Sequence, residues 1–108
     1  MGSPAKFKQI LNEYRQRLYE ILGDDLDSVV LYGSQARGEA NAGSDIDVLC
    51  IMKKSFDYGE LITRTSLATA EISLAHDVVI SRVFITRDAY AAEDSPFIRN
   101  VRKEQVAI

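Results

Sequence analysis

The sequence predicts an α/β (α+β) fold in which helices pack on a small mixed β-sheet. Two patterns alternate along the 108 residues. Apolar residues spaced three and four apart are typical of amphipathic helices, and short β-branched apolar runs are typical of buried strands. The composition, 46% hydrophobic and 27% charged, is that of a globular protein, and the length suits one domain over residues 1–108.

The first half of the chain predicts one helix and two strands. The helix covers Ser3 to about Leu22, because apolar residues follow its spacing and Gly23 can end it. The apolar run 28–32 predicts a strand buried on both faces, and residues 45–52 predict a second. A loop rich in small and polar residues joins these strands.

The second half predicts a further helix, a strand and a last helix. Helical spacing covers residues 57–75, and the Val- and Ile-rich run Asp77–Thr86 predicts a third strand. A polar loop over 87–94 precedes the last helix at 96–103, and residues 106–108 are predicted to add an edge strand.

Charge and hydropathy exclude several classes of protein. A net charge of −3 and a pI near 5.1 argue against a nucleic-acid binder, which usually carries a basic surface. No apolar run approaches the roughly 20 residues of a membrane span, and no signal peptide is evident, so we expect a cytoplasmic protein. The one cysteine, Cys50, lies in an apolar run and is expected to be a buried structural thiol.

Two carboxylates at the start of the second strand suggest a metal site. Asp45 and Asp47 are two residues apart, so in a strand both project from the same face. Ionised neighbours of like charge repel unless one is protonated or a cation lies between them. Hard oxygen ligands select Mg²⁺ or Mn²⁺, and Mg²⁺ usually shares its shell with substrate phosphates.

The Gly-Ser pair after the first strand suggests a phosphate-binding turn. Gly33 allows close backbone approach, and Ser34 at the start of a helical turn can point N–H groups and a hydroxyl at an anion. The ten residues 35–44 connect it to Asp45. Asp77, expected to open the strand next to the second, is the candidate third carboxylate of a two-ion site.

Each of these features also has an ordinary structural explanation. A Gly-Ser pair is usually a turn, and an Asp-x-Asp at a strand end often only aids solubility. Arg37 is a candidate phosphate ligand or a solvated side chain, and His76 is expected to be structural. The specific signal is the combination of Gly33-Ser34, the ten-residue spacer and Asp45-Ile46-Asp47.

On these residues the chain resembles the minimal members of the DNA polymerase β nucleotidyltransferase superfamily, including those of MNT/HEPN toxin–antitoxin pairs. The resemblance implies the polymerase β-like fold and transfer of AMP from ATP with two Mg²⁺ ions, or Mn²⁺. It implies that Asp45, Asp47 and Asp77 are catalytic and hold the metals. Gly33 and Ser34 would bind the phosphates.

The resemblance also narrows the class of molecule that would accept the AMP group, which the residues alone leave open. Minimal members often accompany a helical HEPN protein, and the implied function is that of an antitoxin that adds AMP to a tyrosine of this partner. Two alternatives remain: a non-catalytic antitoxin that neutralises its partner by binding, and a transferase with a small-molecule or RNA acceptor. The sequence does not select among homo- and hetero-oligomers.

Overall fold

The fold is known from a computed structural model that describes residues 4–32, 46–92, 95–104 and 106–107. In these ranges the helices are α1 (Pro4–Leu22), α2 (Tyr58–His76), α3 (Arg87–Ala92) and α4 (Pro96–Glu104). The strands are β1 (Leu26–Tyr32), β2 (Ile46–Met52), β3 (Ile80–Thr86) and β4 (Val106–Ala107). No helix in them is both long and apolar enough to cross a membrane.

The strands form one mixed sheet, as predicted, in the order β3-β2-β1-β4. Strands β1 and β2 are antiparallel, β2 and β3 are parallel, and β4 pairs antiparallel with β1. The parallel pair requires a crossover, which α2 supplies. Strand β2 is therefore internal, and every residue in it except Asp47 is buried.

Helices cover both faces of the sheet. The larger core joins Leu18 of α1 and Ile72 of α2 to alternate residues of the strands, such as Val48 and Phe84. The opposite face packs a smaller cluster that includes Val101 of α4, with Tyr90 of α3 against it. Residues of β2 alternate between these two cores, which explains why the strand reads as a continuous apolar run.

Polar side chains of the larger core bond to one another. The Tyr14 hydroxyl lies 2.7 Å from Thr69 Oγ1. Arg82 Nε donates to Thr65 Oγ1 at 2.7 Å, which ties β3 to α2. Cys50 is a free and fully buried thiol, as predicted, and burial raises its pKa to about 12.

The structure differs from the predicted elements mainly in two places, the start of the third strand and the segment after it. Strand β3 begins at Ile80 and not at Asp77, because Asp77 instead ends α2 in the left-handed conformation, with φ 53° and ψ 51°. The predicted polar loop contains the short helix α3, which starts where Thr86 Oγ1 accepts a hydrogen bond from Ala89 N at 3.2 Å. A Thr cap followed by alanines favours a helical turn despite the charged residues.

Candidate active site

The candidate site lies at the end of the sheet where β1 ends and β2 and β3 begin. Tyr32 and Asp47 are the last paired residues of β1 and β2. On the other side of β2, Ile46 pairs with Ile80, and Ile46 N donates to Val79 O at 2.8 Å. The chain therefore leaves β1 and enters β2 at neighbouring positions of one edge, and the motif residues lie between them in sequence.

Asp47 can be polar because successive residues of a strand point to opposite faces of the sheet. Its neighbours Ile46 and Val48 are fully buried in the core beneath α1 and α2. Asp47 faces the opposite side, which it shares with Leu49, and it is only half-buried. A carboxylate at this position stays accessible at the rim of the sheet.

Tyr32 lies beside Asp47 and responds to its charge. Burial, and after it the negative charge of Asp47, raises the pKa of the Tyr32 hydroxyl above its usual value. The Tyr32 ring makes an edge-to-face contact with Phe97 of α4, with ring centroids 5.6 Å apart. Asp47 thus lies next to an aromatic pair that joins the sheet edge to the last helix.

Four of the predicted site residues lie outside the described residues: Gly33, Ser34, Arg37 and Asp45. Their convergence on one site stays a prediction. The described residues show where this segment must start and end, since Tyr32 precedes it and Ile46 follows it at the same sheet edge.

Asp77 occupies a different local structure from the one predicted. Its backbone N–H bonds to Ser73 O at the end of α2, and its side chain is exposed. The β3 residue directly beside Asp47 is Ser81, four residues further along the chain. The assignment of Asp77 as the third metal ligand stays a prediction, and the strand position that suggested it is not observed.

The described residues alone do not assemble a metal centre. Across the described ranges, no three acidic, His or Cys side chains come together as a possible metal site. Asp47 nevertheless contributes an accessible carboxylate of the type that Mg²⁺ binds. The donor chemistry fits a magnesium site if Asp45 joins it.

Three other polar residues of interest make structural contacts. His76 Nε2 lies 3.0 Å from Glu13 Oε2, which links the end of α2 to α1. Arg82 faces α2, where its guanidinium donates to Thr65 Oγ1 and Ile62 O. In the basic helix α4, Arg102 lies over the Tyr90 ring and donates to Tyr90 O at 3.2 Å.

Sequence reasoning did not place Tyr32 and Ser81 beside Asp47 at this edge. Both lie on the same face of the sheet as Asp47, as their pairing register shows. Period-two alternation would have placed Tyr32 on one face of its strand, but only the register tells which residue of another strand lies beside Asp47.

Comparison with known proteins identifies the family. Residues 8–105 match the nucleotidyltransferase domain family. A "putative protein adenylyltransferase" of Methanocaldococcus jannaschii is 36% identical over 75 residues, which cover 69% of this chain and 75% of that protein. A second protein of the same name and organism is 50% identical over 44 residues, which span 41% of this chain and 30% of that protein.

Solved structures share the fold at low sequence identity. A structure described as a putative minimal nucleotidyltransferase has a TM-score of 0.58 at 18% identity, covering 93% of this chain and 94% of that one. A toxin-antitoxin structure with AMP-PNP also has a TM-score of 0.58 at 18% identity, covering 87% of this chain and 68% of that one. The fold and the family match agree, and the chain belongs to the nucleotidyltransferase domain family.

Proposed function

We propose that this chain transfers AMP from ATP to a tyrosine hydroxyl of a helical, HEPN-type partner protein and acts as its antitoxin in the cytoplasm. One structural observation carries the proposal. Tyr32 and Asp47 are paired at the sheet edge, so the Gly33-Ser34 pair and the Asp45-Ile46-Asp47 motif adjoin neighbouring strand ends in sequence. A phosphate-binding turn beside a pair of carboxylates is what nucleotidyl transfer requires.

In this proposal the residues of the chain position the nucleotide and its metals. Gly33 and Ser34 bind the β- and γ-phosphates, with Arg37 as a further phosphate ligand. Asp45 and Asp47, together with Asp77, would hold two Mg²⁺ ions. When bound there, Mg²⁺ would supply positive charge that neutralises the phosphates and the pyrophosphate leaving group.

The reaction balances without any further reactant. The acceptor tyrosine oxygen forms a bond to the α-phosphorus of ATP, and the bond from that phosphorus to the bridging oxygen breaks. Pyrophosphate leaves with the bonding electron pair, and the phenolic proton passes to a carboxylate, for which Asp77 is the candidate. Because such chemistry depends mainly on positioning and charge, a small rigid site can carry it out.

Similarity to known proteins supports the protein acceptor. The relative that is 36% identical is named a protein adenylyltransferase, and one structural neighbour is the toxin-antitoxin MntA-HpeT, with a TM-score of 0.56 at 14% identity. That neighbour covers 84% of this chain, and the alignment spans 66% of the neighbour. The tyrosine acceptor and the partner come from the motif resemblance.

The test is a labelling experiment with the product of the gene adjacent to that of this chain, as the candidate partner. The chain, its partner and Mg²⁺ are incubated with ATP labelled at the α-phosphate, and in parallel with ATP labelled at the γ-phosphate. We expect label on the partner from the α-phosphate only, and loss of label when Asp47→Asn replaces the wild type or when EDTA is added.

Other outcomes would identify the alternatives. A stable complex without label would mean that the chain neutralises its partner by binding. Label on RNA or on a small molecule, with none on the partner, would show that the acceptor is not the partner protein. Partner variants in which each exposed tyrosine is changed to phenylalanine would locate the modified residue.

A further inference from the structure

The outward face of α2 carries an apolar stripe that nothing in the described chain covers. The inward face of α2 buries Leu61, Thr65, Ala68 and Ile72 in the core. On the opposite side, Leu67 is 70% exposed and Leu74 is 84% exposed. Two leucines this exposed, one behind the other on a helix, form a contiguous apolar patch.

The stripe has the spacing of a helix–helix interface. Its members are Thr63, Leu67, Ala70 and Leu74, all exposed and separated by four, three and four residues. This is the alternation of the a and d positions in a coiled coil. Thr63 Oγ1 donates to Gly59 O at 2.9 Å, so the Thr63 hydroxyl already has a partner and its methyl group remains for packing.

We propose that this stripe is a dimer interface at which α2 packs antiparallel against α2 of a second copy of the chain. The four residues alternate small and large, so an antiparallel pair places Leu67 against Ala70 and Leu74 against Thr63 of the second copy. A two-fold axis then repeats both contacts. Each leucine therefore fills the space left by a small residue, which makes the surface complementary to itself.

The charges beside the stripe favour the same orientation. Arg64 and Glu71 follow Thr63 and Ala70 in sequence and flank one side of the stripe, and Ser66 and Ser73 flank the other. In an antiparallel pair each flank faces its own counterpart, so Arg64 lies opposite Glu71 of the second copy. A parallel pair would set each charged flank against serines and form no charge pair.

The flanking charges keep their contacts within the chain. Arg64 Nη2 donates to Ile21 O at 2.6 Å, and Glu71 accepts from Arg17 Nη2 at 2.7 Å. Exposed ion pairs contribute little free energy. The attraction between Arg64 and Glu71 of the second copy is therefore expected to favour the antiparallel direction only, and the leucines supply the affinity.

Carboxylates limit the stripe at both ends. Beyond the stripe lie Glu60, which is exposed in the first turn of α2, and Asp77, which is exposed where α2 ends in the left-handed conformation. The apolar stripe therefore spans only Thr63 to Leu74, so the interface is short and the dimer is expected to be weak.

The first test is sedimentation equilibrium of the purified chain without nucleotide, over about 10 μM to 1 mM, the affinity range of small interfaces. We expect a monomer–dimer equilibrium that Leu67→Glu and Leu74→Glu each weaken by roughly tenfold or more, as for residues central to an interface. Val79→Glu is the matched control, since Val79 is 55% exposed but lies outside α2.

Disulfide trapping tests the direction of the helices. We expect an equimolar mixture of Leu67→Cys and Ala70→Cys chains to form crosslinked dimers under mild oxidation. Leu67→Cys alone should crosslink poorly, because identical positions do not meet in an antiparallel pair. Native Cys50 is fully buried and does not compete. Far-UV circular dichroism of every variant confirms that it is folded.

The outcomes decide the proposal independently of catalysis. A chain that stays monomeric throughout the range, or a dimer that both leucine variants leave intact, overturns it. Efficient crosslinking of Leu67→Cys alone overturns the antiparallel arrangement. A face that binds only another protein would appear as a monomer in this experiment and would also contradict the proposal.

Discussion

Asp47 and Tyr32 face each other across the antiparallel pair of β2 and β1, and the negative charge of Asp47 contributes to the raised pKa of the Tyr32 hydroxyl. The carboxylate therefore lies on the face of the sheet that α4 approaches through Phe97. Because Asp47 is half-buried at the rim, a substitution there removes a charge without opening the core.

Asp47→Asn should strongly reduce nucleotidyl transfer while preserving the fold. Loss of one metal-binding carboxylate should lower the rate by roughly 10²-fold or more, comparable to removing a main electrostatic contact of an active site. The melting temperature should stay close to that of the wild type. Asp27→Asn is a suitable control, because Asp27 is also a half-buried aspartate in a strand, at the other end of the sheet. Retention of transfer by Asp47→Asn would exclude the proposed site.

Asp77→Asn tests the third carboxylate separately from its structural role. Asn tolerates the left-handed conformation that Asp77 adopts, so the stability should change by less than about 0.5 kcal/mol. If Asp77 binds metal, transfer should fall sharply and the Mg²⁺ concentration needed for half-maximal activity should rise.

The informative comparison is Asp77→Gly, which also accepts this backbone conformation. Both variants should lose activity together. If both retain full activity, Asp77 serves only to end α2, and the third ligand must be sought elsewhere.

The difference between the predicted and the observed position of Asp77 has a physical origin. An apolar run beginning with Asp reads as a strand, and nothing in the local sequence indicates that the chain first passes through a left-handed residue and two further residues. Helix α1 and helix α4 were predicted nearly to the residue, because their ends carry Gly23 and the capping Ser95, which accepts from Ile98 N at 3.2 Å.

The apolar periodicity of α2 was equally easy to detect but less informative. Spacing shows that Leu61 and Leu67 belong to a helix. It does not show which of them is covered, since Leu61 is buried and Leu67 is exposed. That distinction depends on how far the sheet and α1 extend. Likewise, only the parallel register of β2 and β3 shows that Ser81 lies beside Asp47.

Arg82 should contribute measurably to stability. Its guanidinium donates to Thr65 Oγ1 at 2.7 Å and Ile62 O at 2.9 Å, which attaches the edge strand to α2. Arg82→Met keeps the aliphatic part of the side chain and removes the donors. We expect a loss of about 1.5–3 kcal/mol in the free energy of unfolding, the range for hydrogen bonds to charged groups.

Urea denaturation of Arg82→Met and Arg87→Met would measure this contribution. Arg87 makes only a partly exposed ion pair with Asp27 at 3.6 Å, so its replacement should cost less than about 1 kcal/mol. Equal effects of the two substitutions would mean that the contacts of Arg82 add nothing beyond a surface charge.

Tyr14 should make the stability of the protein sensitive to alkaline pH. Thr69 Oγ1 donates to Thr65 O, so the Tyr14 hydroxyl is the donor to Thr69 Oγ1. Burial is the main reason that the pKa of Tyr14 rises from 10.0 to about 12. Between these values the unfolded chain releases this proton and the folded chain retains it. The stabilisation is therefore complete below pH 10 and decreases as the pH rises toward 12.

Tyr14→Phe isolates this contribution. At pH 8 the variant should be about 1 kcal/mol less stable than the wild type, the usual value of one hydrogen bond. By pH 11 the wild type should have lost about 1.4 kcal/mol through the tyrosine, which the variant cannot lose, so the two unfolding free energies should converge. Cys50 titrates in the same direction in both proteins and cancels in the difference. A difference that stays constant from pH 8 to pH 11 would show that Tyr14 titrates at the same pH in the folded and the unfolded chain.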